Sequence, residues 1–120
     1  MSAKEIVKKF YKSDALIDSE VMKDYLHPDV LVEWNSSTGF VEHNYNSLLD
    51  LSNDLSKAYV RSKVRISHII SENDMVSVRY DHFVKTIENP REEMLLAHSF
   101  IIWQIKDSKL FRGYQISQLY

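Results

Sequence analysis

VRISHIISENDMVSVRYDHFV, residues 64–84, is the stretch whose reading decides the fold. Val64, Ile66, His68 and Ile70 fall at every second position, Glu72-Asn73-Asp74 interrupts, and Val76, Val78, Tyr80, His82 and Val84 resume the period of two. Successive side chains on a strand point to opposite faces, so such alternation marks two half-buried strands. A polar break between them marks a hairpin. A three-residue loop at 72–74 pairs Ile70 with Val76, His68 with Val78 and Val64 with His82, and the two apolar faces coincide. A two-residue loop would set apolar against polar positions. Register follows the hydrophobic pattern, so the three-residue loop is expected.

Downstream, Asn89-Pro90-Arg91 is turn chemistry, residues 95–105 form a long strand, Asp107-Ser108 is a tight turn, and residues 110–119 form the last strand. Upstream, the chain reads helical. Ser2 and Glu5 have capping-box spacing, and Ile6, Val7, Phe10 and Tyr11 follow at the helical period. Asp18 is a second N-cap, with Val21, Met22, Tyr25 and Leu26 behind it and Pro28 to stop the helix. Val30, Val32 and Trp34 alternate as a strand, and residues 36–39 turn. Asn44 or Asn46 caps a third helix with Leu48, Leu51, Leu55 and Tyr59 on its buried stripe. Three early helices with one strand among them, then a long antiparallel meander, is an α+β pattern with the helices packed on one face of the sheet.

The strand at 95–105 does not fit a sheet covered on one side only. Ala97, Ile101, Trp103 and Ile105 are apolar on one face, and Leu96, Phe100 and Ile102 on the other. Something must cover the second face, and a homodimer through it is the economical expectation.

With 120 residues, 44% hydrophobic and 27% charged, the chain has the composition of one ordinary domain, expected to span residues 1–120. A formal net charge of −2 leaves no electrostatic footprint for nucleic acid. Lys4, Lys8, Lys9 and Lys12 read as the solvated face of the first helix. No apolar run approaches the ~18 residues of a membrane span, and the charged start MSAKEIVKKF lacks a signal-peptide core. The absence of Cys fits a cytoplasmic protein. The five histidines stand on separate elements without HxxxH or HxH spacing, and no phosphate-cradling glycine pattern occurs. No metal and no cofactor are therefore expected.

The ordered set EIVKKFYKSDALIDSEVMKDYLHPDVLVEW (residues 5–34), VSVRY after END, and WQIKDSKLFRGYQISQ (residues 103–118) resembles the nuclear transport factor 2-like superfamily. Within it, the likeness is to SnoaL-like and ketosteroid-isomerase-like small proteins. The resemblance runs over essentially the whole chain. It implies a curved antiparallel sheet wrapped around the first helix, a conical apolar pocket open at one end, and dimers through the outer sheet face. It also implies catalytic positions that can be read one by one. The ketosteroid isomerase general base falls on Trp34, its phenol donor on Phe10 with Tyr11 adjacent, and its protonated acid near Ile101. The SnoaL-type cyclase acid falls on Gln118. The Asp-Arg-Asp set of limonene-epoxide-hydrolase-like sites finds only Arg79 and Asp81, on the face of Ser77 and Met75. Trp, Phe and Ile supply neither base nor acid, and an amide is no general base at neutral pH.

Two functions follow as expectations. The first is a non-catalytic protein that binds a small apolar molecule in the cone, with Trp34, His68, His82, Trp103, Tyr114 and Gln118 as pocket residues. The tryptophans offer an apolar body with an N–H tip. Tyr114 and Gln118 share parity with Ile116 on the last strand. The alternative is a small-molecule isomerase, lyase or hydrolase with His82 or His68 as general base, because imidazole titrates near neutrality. His98 belongs to the outer face, His27 beside Pro28 to the surface, and His43 to the region before the third helix.

Overall fold

The structure, a computed structural model, describes residues 1–120. Helix α1 spans Ala3–Lys12, a single 3-10 turn spans Ala15–Ile17, α2 spans Ser19–Lys23 and α3 spans Tyr45–Ala58. The strands are β1 (Leu26–Ser36), β2 (Gly39–Asn44), β3 (Tyr59–Glu72), β4 (Met75–Thr86), β5 (Met94–Lys106) and β6 (Lys109–Leu119). The architecture is α+β, with the helices on one face of a six-stranded sheet of order β2-β1-β6-β5-β4-β3. All neighbours are antiparallel except β1 and β6, which run parallel.

Local chemistry sets the helix starts. Ser2 Oγ accepts from the Glu5 N–H at 3.2 Å, and Asp18 Oδ1 accepts from Glu20 and Val21. Asn44 and Ser47 cap α3 reciprocally, at 2.9 and 2.8 Å. The buried stripe of α1, namely Ile6, Val7, Phe10 and Tyr11, packs into one 17-residue core with Val76, Val78, Tyr80, Ile101 and Trp103 of the sheet.

Three observations revise the sequence reading. First, β1 and β2 form a hairpin, so residues 40–44 are strand, and β1 begins at Leu26. His27 is consequently buried beside Phe111, its Nδ1 accepting from the Asp29 N–H at 3.0 Å.

Second, the β3–β4 turn has two residues, Asn73 and Asp74, with Glu72 opposite Met75 and Asn73 at φ +54°. A bulge between Ile66 and His68 then restores the phase. Ile69 lies opposite Val78, while Ile66 opposite Tyr80 and Val64 opposite His82 keep the apolar faces together. The hydrophobic pattern is met by inserting a residue in the strand rather than in the loop. Ile70 and His68 pay no part in the core and are exposed.

Third, bulges also fall in β5, where Leu96 is extra opposite His82/Phe83, and in β6, where Phe111 is extra opposite Gln104/Ile105. Bulges bend a strand and increase its twist. The bulges on β3, β5 and β6 thus bend the sheet on both sides of the regular strand β4.

Candidate functional site

The inward face of the sheet tapers in side-chain size. One row runs Val32–Gly113–Trp103–Val76, the next Trp34–Gln115–Ile101–Val78. The following rows are Ser117–Ser99–Tyr80 and Leu119–Ala97–His82. The Trp103 indole, lying over Gly113, fills the first end. At the second, two serines and an alanine leave space that the Leu48, Leu51 and Leu55 side of α3 roofs without filling. The result is a cavity of about 300 Å³. That is at the small end of the range for small-molecule sites, roughly 300–1,000 Å³. Its lining is mostly hydrophobic and contains no Asp, Glu, Lys or Arg.

Gly113 is part of the taper. A Cβ there would lie 2.8 Å from Cζ3 of Trp103, so the bare backbone is what lets the indole lie flat at the narrow end. The Trp103 Nε1–H donates to the Tyr11 hydroxyl at 2.9 Å. The Tyr11 ring packs against that of Tyr80, centroids 4.8 Å apart. Tyr80 accepts from Gln115 Nε2 at 3.4 Å. On the other wall, the Trp34 Nε1–H donates to Ser117 Oγ at 2.6 Å. Burial pushes the Tyr80 phenol up from its ordinary pKa and the Tyr11 phenol well up, so both are neutral donors and acceptors at pH 7.

Two histidines border the cavity. His82 is buried, its Nε2 2.6 Å from Ser62 Oγ, and desolvation lowers its pKa to about 4. His43, on β2, sits 5.9 Å from the Trp34 ring with Nδ1 3.1 Å from Ser47 Oγ, and burial lowers it as well. Both imidazoles are neutral at pH 7, so every side chain around the cavity is uncharged. No group of three or more His, Asp or Glu side chains converges anywhere in the chain.

Of the residues singled out from sequence, Trp34, His82 and Trp103 line the cavity, and His68, Tyr114 and Gln118 do not. His68 stands at the β3 bulge opposite Arg79, exposed. Tyr114 and Gln118 face outward because the Phe111 bulge reverses the parity of β6: Leu110 points in, and beyond the extra residue it is Gly113, Gln115 and Ser117 that follow it. Tyr80, Ser99, Gln115 and Ser117 are among the polar groups of the lining that the sequence reading did not place there, with Ser36, Thr38, His43 and Ser52. Ser99 was visible as a small residue in phase with Ala97, Ile101 and Trp103. In the first helix Tyr11, rather than Phe10, brings a polar atom to the site. Arg79 is exposed, and Asp81 faces outward to His98 at 2.7 Å.

The sequence matches no family model and no curated protein. Solved structures do match. IdmH from Streptomyces antibioticus, a proposed polyketide cyclase, superposes with a TM-score of 0.76 at 12% identity, over 98% of this chain and 92% of that one. A proposed SnoaL-like polyketide cyclase from Jannaschia sp. CCS1 gives 0.71 at 12% identity, over 96% and 84%. A nuclear transport factor 2-like protein of unknown function from Burkholderia pseudomallei gives 0.67 at 13% identity, over 96% and 90%. Identities this low speak for shape alone, and the shape agrees over nearly the whole chain: this protein has the nuclear transport factor 2-like fold.

Proposed function

We propose that the protein binds a small, uncharged, mostly apolar molecule in the cavity beneath α3. The observation that carries this reading is the lining: about 300 Å³ enclosed by apolar side chains and a few hydrogen-bonding groups, with no ionised group. Apolar surface buried there is worth about 25 cal/mol per Å², whereas a charged ligand would lose its hydration with no counter-charge to replace it. The likeness to proposed cyclases of polyketides is in keeping with such a ligand. A catalytic reading with His82 as general base is weaker. The ring borders the cavity, but a pKa of about 4 makes it a poor proton acceptor, and Ser62 already occupies Nε2. No carboxylate stands in the lining to take its place.

Thermal unfolding with paired ligands tests the proposal: tetralin, camphor and 2-tetralone against the anions camphorsulfonate and 2-naphthoate. A neutral ligand at a hundredfold excess over its Kd stabilises by about 2.7 kcal/mol. Ala97→Leu, which fills the open end, removes the effect. Stabilisation by the anions to the same degree, or by none of the neutral compounds, overturns it.

A further inference from the structure

The directions of the hydrogen bonds around the cavity restrict its ligand further. An indole N–H only donates, whereas a hydroxyl oxygen that already accepts must place its own proton elsewhere. At the narrow end Trp103 donates to Tyr11 and Gln115 donates to Tyr80, so those hydroxyls already have donors. On the other wall Trp34 donates to Ser117, whose oxygen accepts the indole N–H at 2.6 Å, so the Ser117 proton must point elsewhere. The Ser99 hydroxyl lines the cavity beside it. Ser99 and Ser117 are direct cross-strand partners on β5 and β6, both buried and both lining the cavity. Side chains so paired have Cβ atoms about 4.5–5.5 Å apart, close enough for both hydroxyls to reach one atom.

We infer that the Ser99 and Ser117 hydroxyls form a twin-donor site, with Ser117 set by the Trp34 indole, for an acceptor oxygen on an uncharged ligand: a ketone, aldehyde, ester or ether. This deepens the occupancy reading above and rests on it. A pure hydrocarbon leaves two buried donors without a partner, which is costly. A carboxylate would satisfy them but finds no cation in the lining.

The experiment compares 2-tetralone with tetralin, near-equal in shape and differing by one carbonyl, on the wild-type protein and on the double variant Ser99→Ala/Ser117→Ala. Two hydrogen bonds in a buried site predict roughly tenfold tighter binding of the ketone. The ketone's infrared C=O band moves to lower wavenumber on binding. In the double variant the affinity ratio falls to about one and the band returns, while tetralin binds as before, which also reports that the variant is folded. Equal affinity of both compounds for the wild type overturns the donor site and leaves the occupancy reading standing. A ketone preference and shifted band that survive in the double variant overturn the assignment to these serines. Binding of neither compound overturns both readings together.

Discussion

At the scale of single residues, His82 is the group whose chemistry is most altered by folding. Its ring is buried against Ser62, and its pKa is lowered to about 4 by desolvation; a free imidazole titrates near 6.5. Between those two values the unfolded chain binds a proton that the folded chain refuses, so stability falls as the pH drops. The contribution of neutral His82 is whole above about pH 6.5, declines below it and levels off under about pH 4, a loss on the order of 3 kcal/mol. His43, lowered by the same cause, acts in the same direction. Urea unfolding from pH 7.5 to 4.5 is expected to show a steeper loss of stability in the wild type than in His82→Gln, carboxylate titration being common to both. Parallel profiles would mean that the ring is not held neutral. The inward position of His82 was legible because β4 runs from its turn to that residue without a bulge. His68, Tyr114 and Gln118 were misread for the converse reason: each lies on a strand whose parity a bulge reverses. A period-two pattern carries no mark of an inserted residue.

At the scale of elements, the narrow end of the cavity depends on strand β6 presenting no side chain at Gly113. The Trp103 ring occupies the place of the missing Cβ, and it is fixed there by Phe10 at 6.2 Å and by the bond to Tyr11. Gly113→Ala forces the indole away from the strand. Overpacking of this kind costs about 1–3 kcal/mol, and the displaced ring also loses its 2.9 Å bond to Tyr11. Denaturant unfolding should show that loss together with a changed near-ultraviolet circular dichroism spectrum from Trp103. A variant as stable as the wild type with an unchanged spectrum would show that β6 can yield. The helices were readable from their caps and stripes, since both are local: Ser2, Asp18 and Asn44 each start the helix expected of them. Strand β2 was not. It lies at the sheet edge, exposed at nearly every position, and so has no alternation to read. The parallel pairing of β1 with β6 joins residues about 80 apart, and no local pattern encodes it.

At the scale of the whole molecule, the outer sheet face has no helix over it. Phe83 there is shielded by the Arg65 guanidinium, 4.4 Å above its ring. Phe100, Tyr114, Ile116 and Ile70 are not covered: they are 43%, 42%, 65% and 70% exposed, around the half-buried Ile102. We propose that a second copy of this chain covers them. The face carries charges of both signs, Arg112 on β6 and Asp81 on β4 among them, and one opposite pair stands on opposite sides of the apolar centre. Glu33 lies on the β1 side in the row of Tyr114 and Ile102, and Arg79 on the β4 side in the row of Ile116 and Phe100. A two-fold axis along the strands sets the Glu33 edge of one copy over the Arg79 edge of the other, with the apolar centre between, and the contact is the same for both copies. Such an interface must bury about 1,200–2,000 Å² to be stable. Light scattering at micromolar concentration is expected to give twice the chain mass. Phe100→Glu, which places a carboxylate at the centre of that contact, should return the chain mass without loss of fold, since Phe100 contributes nothing to the inner core. A wild-type protein that stays at the single-chain mass up to millimolar concentration would rule out the second copy. A dimer indifferent to Phe100→Glu would place the contact elsewhere on the molecule.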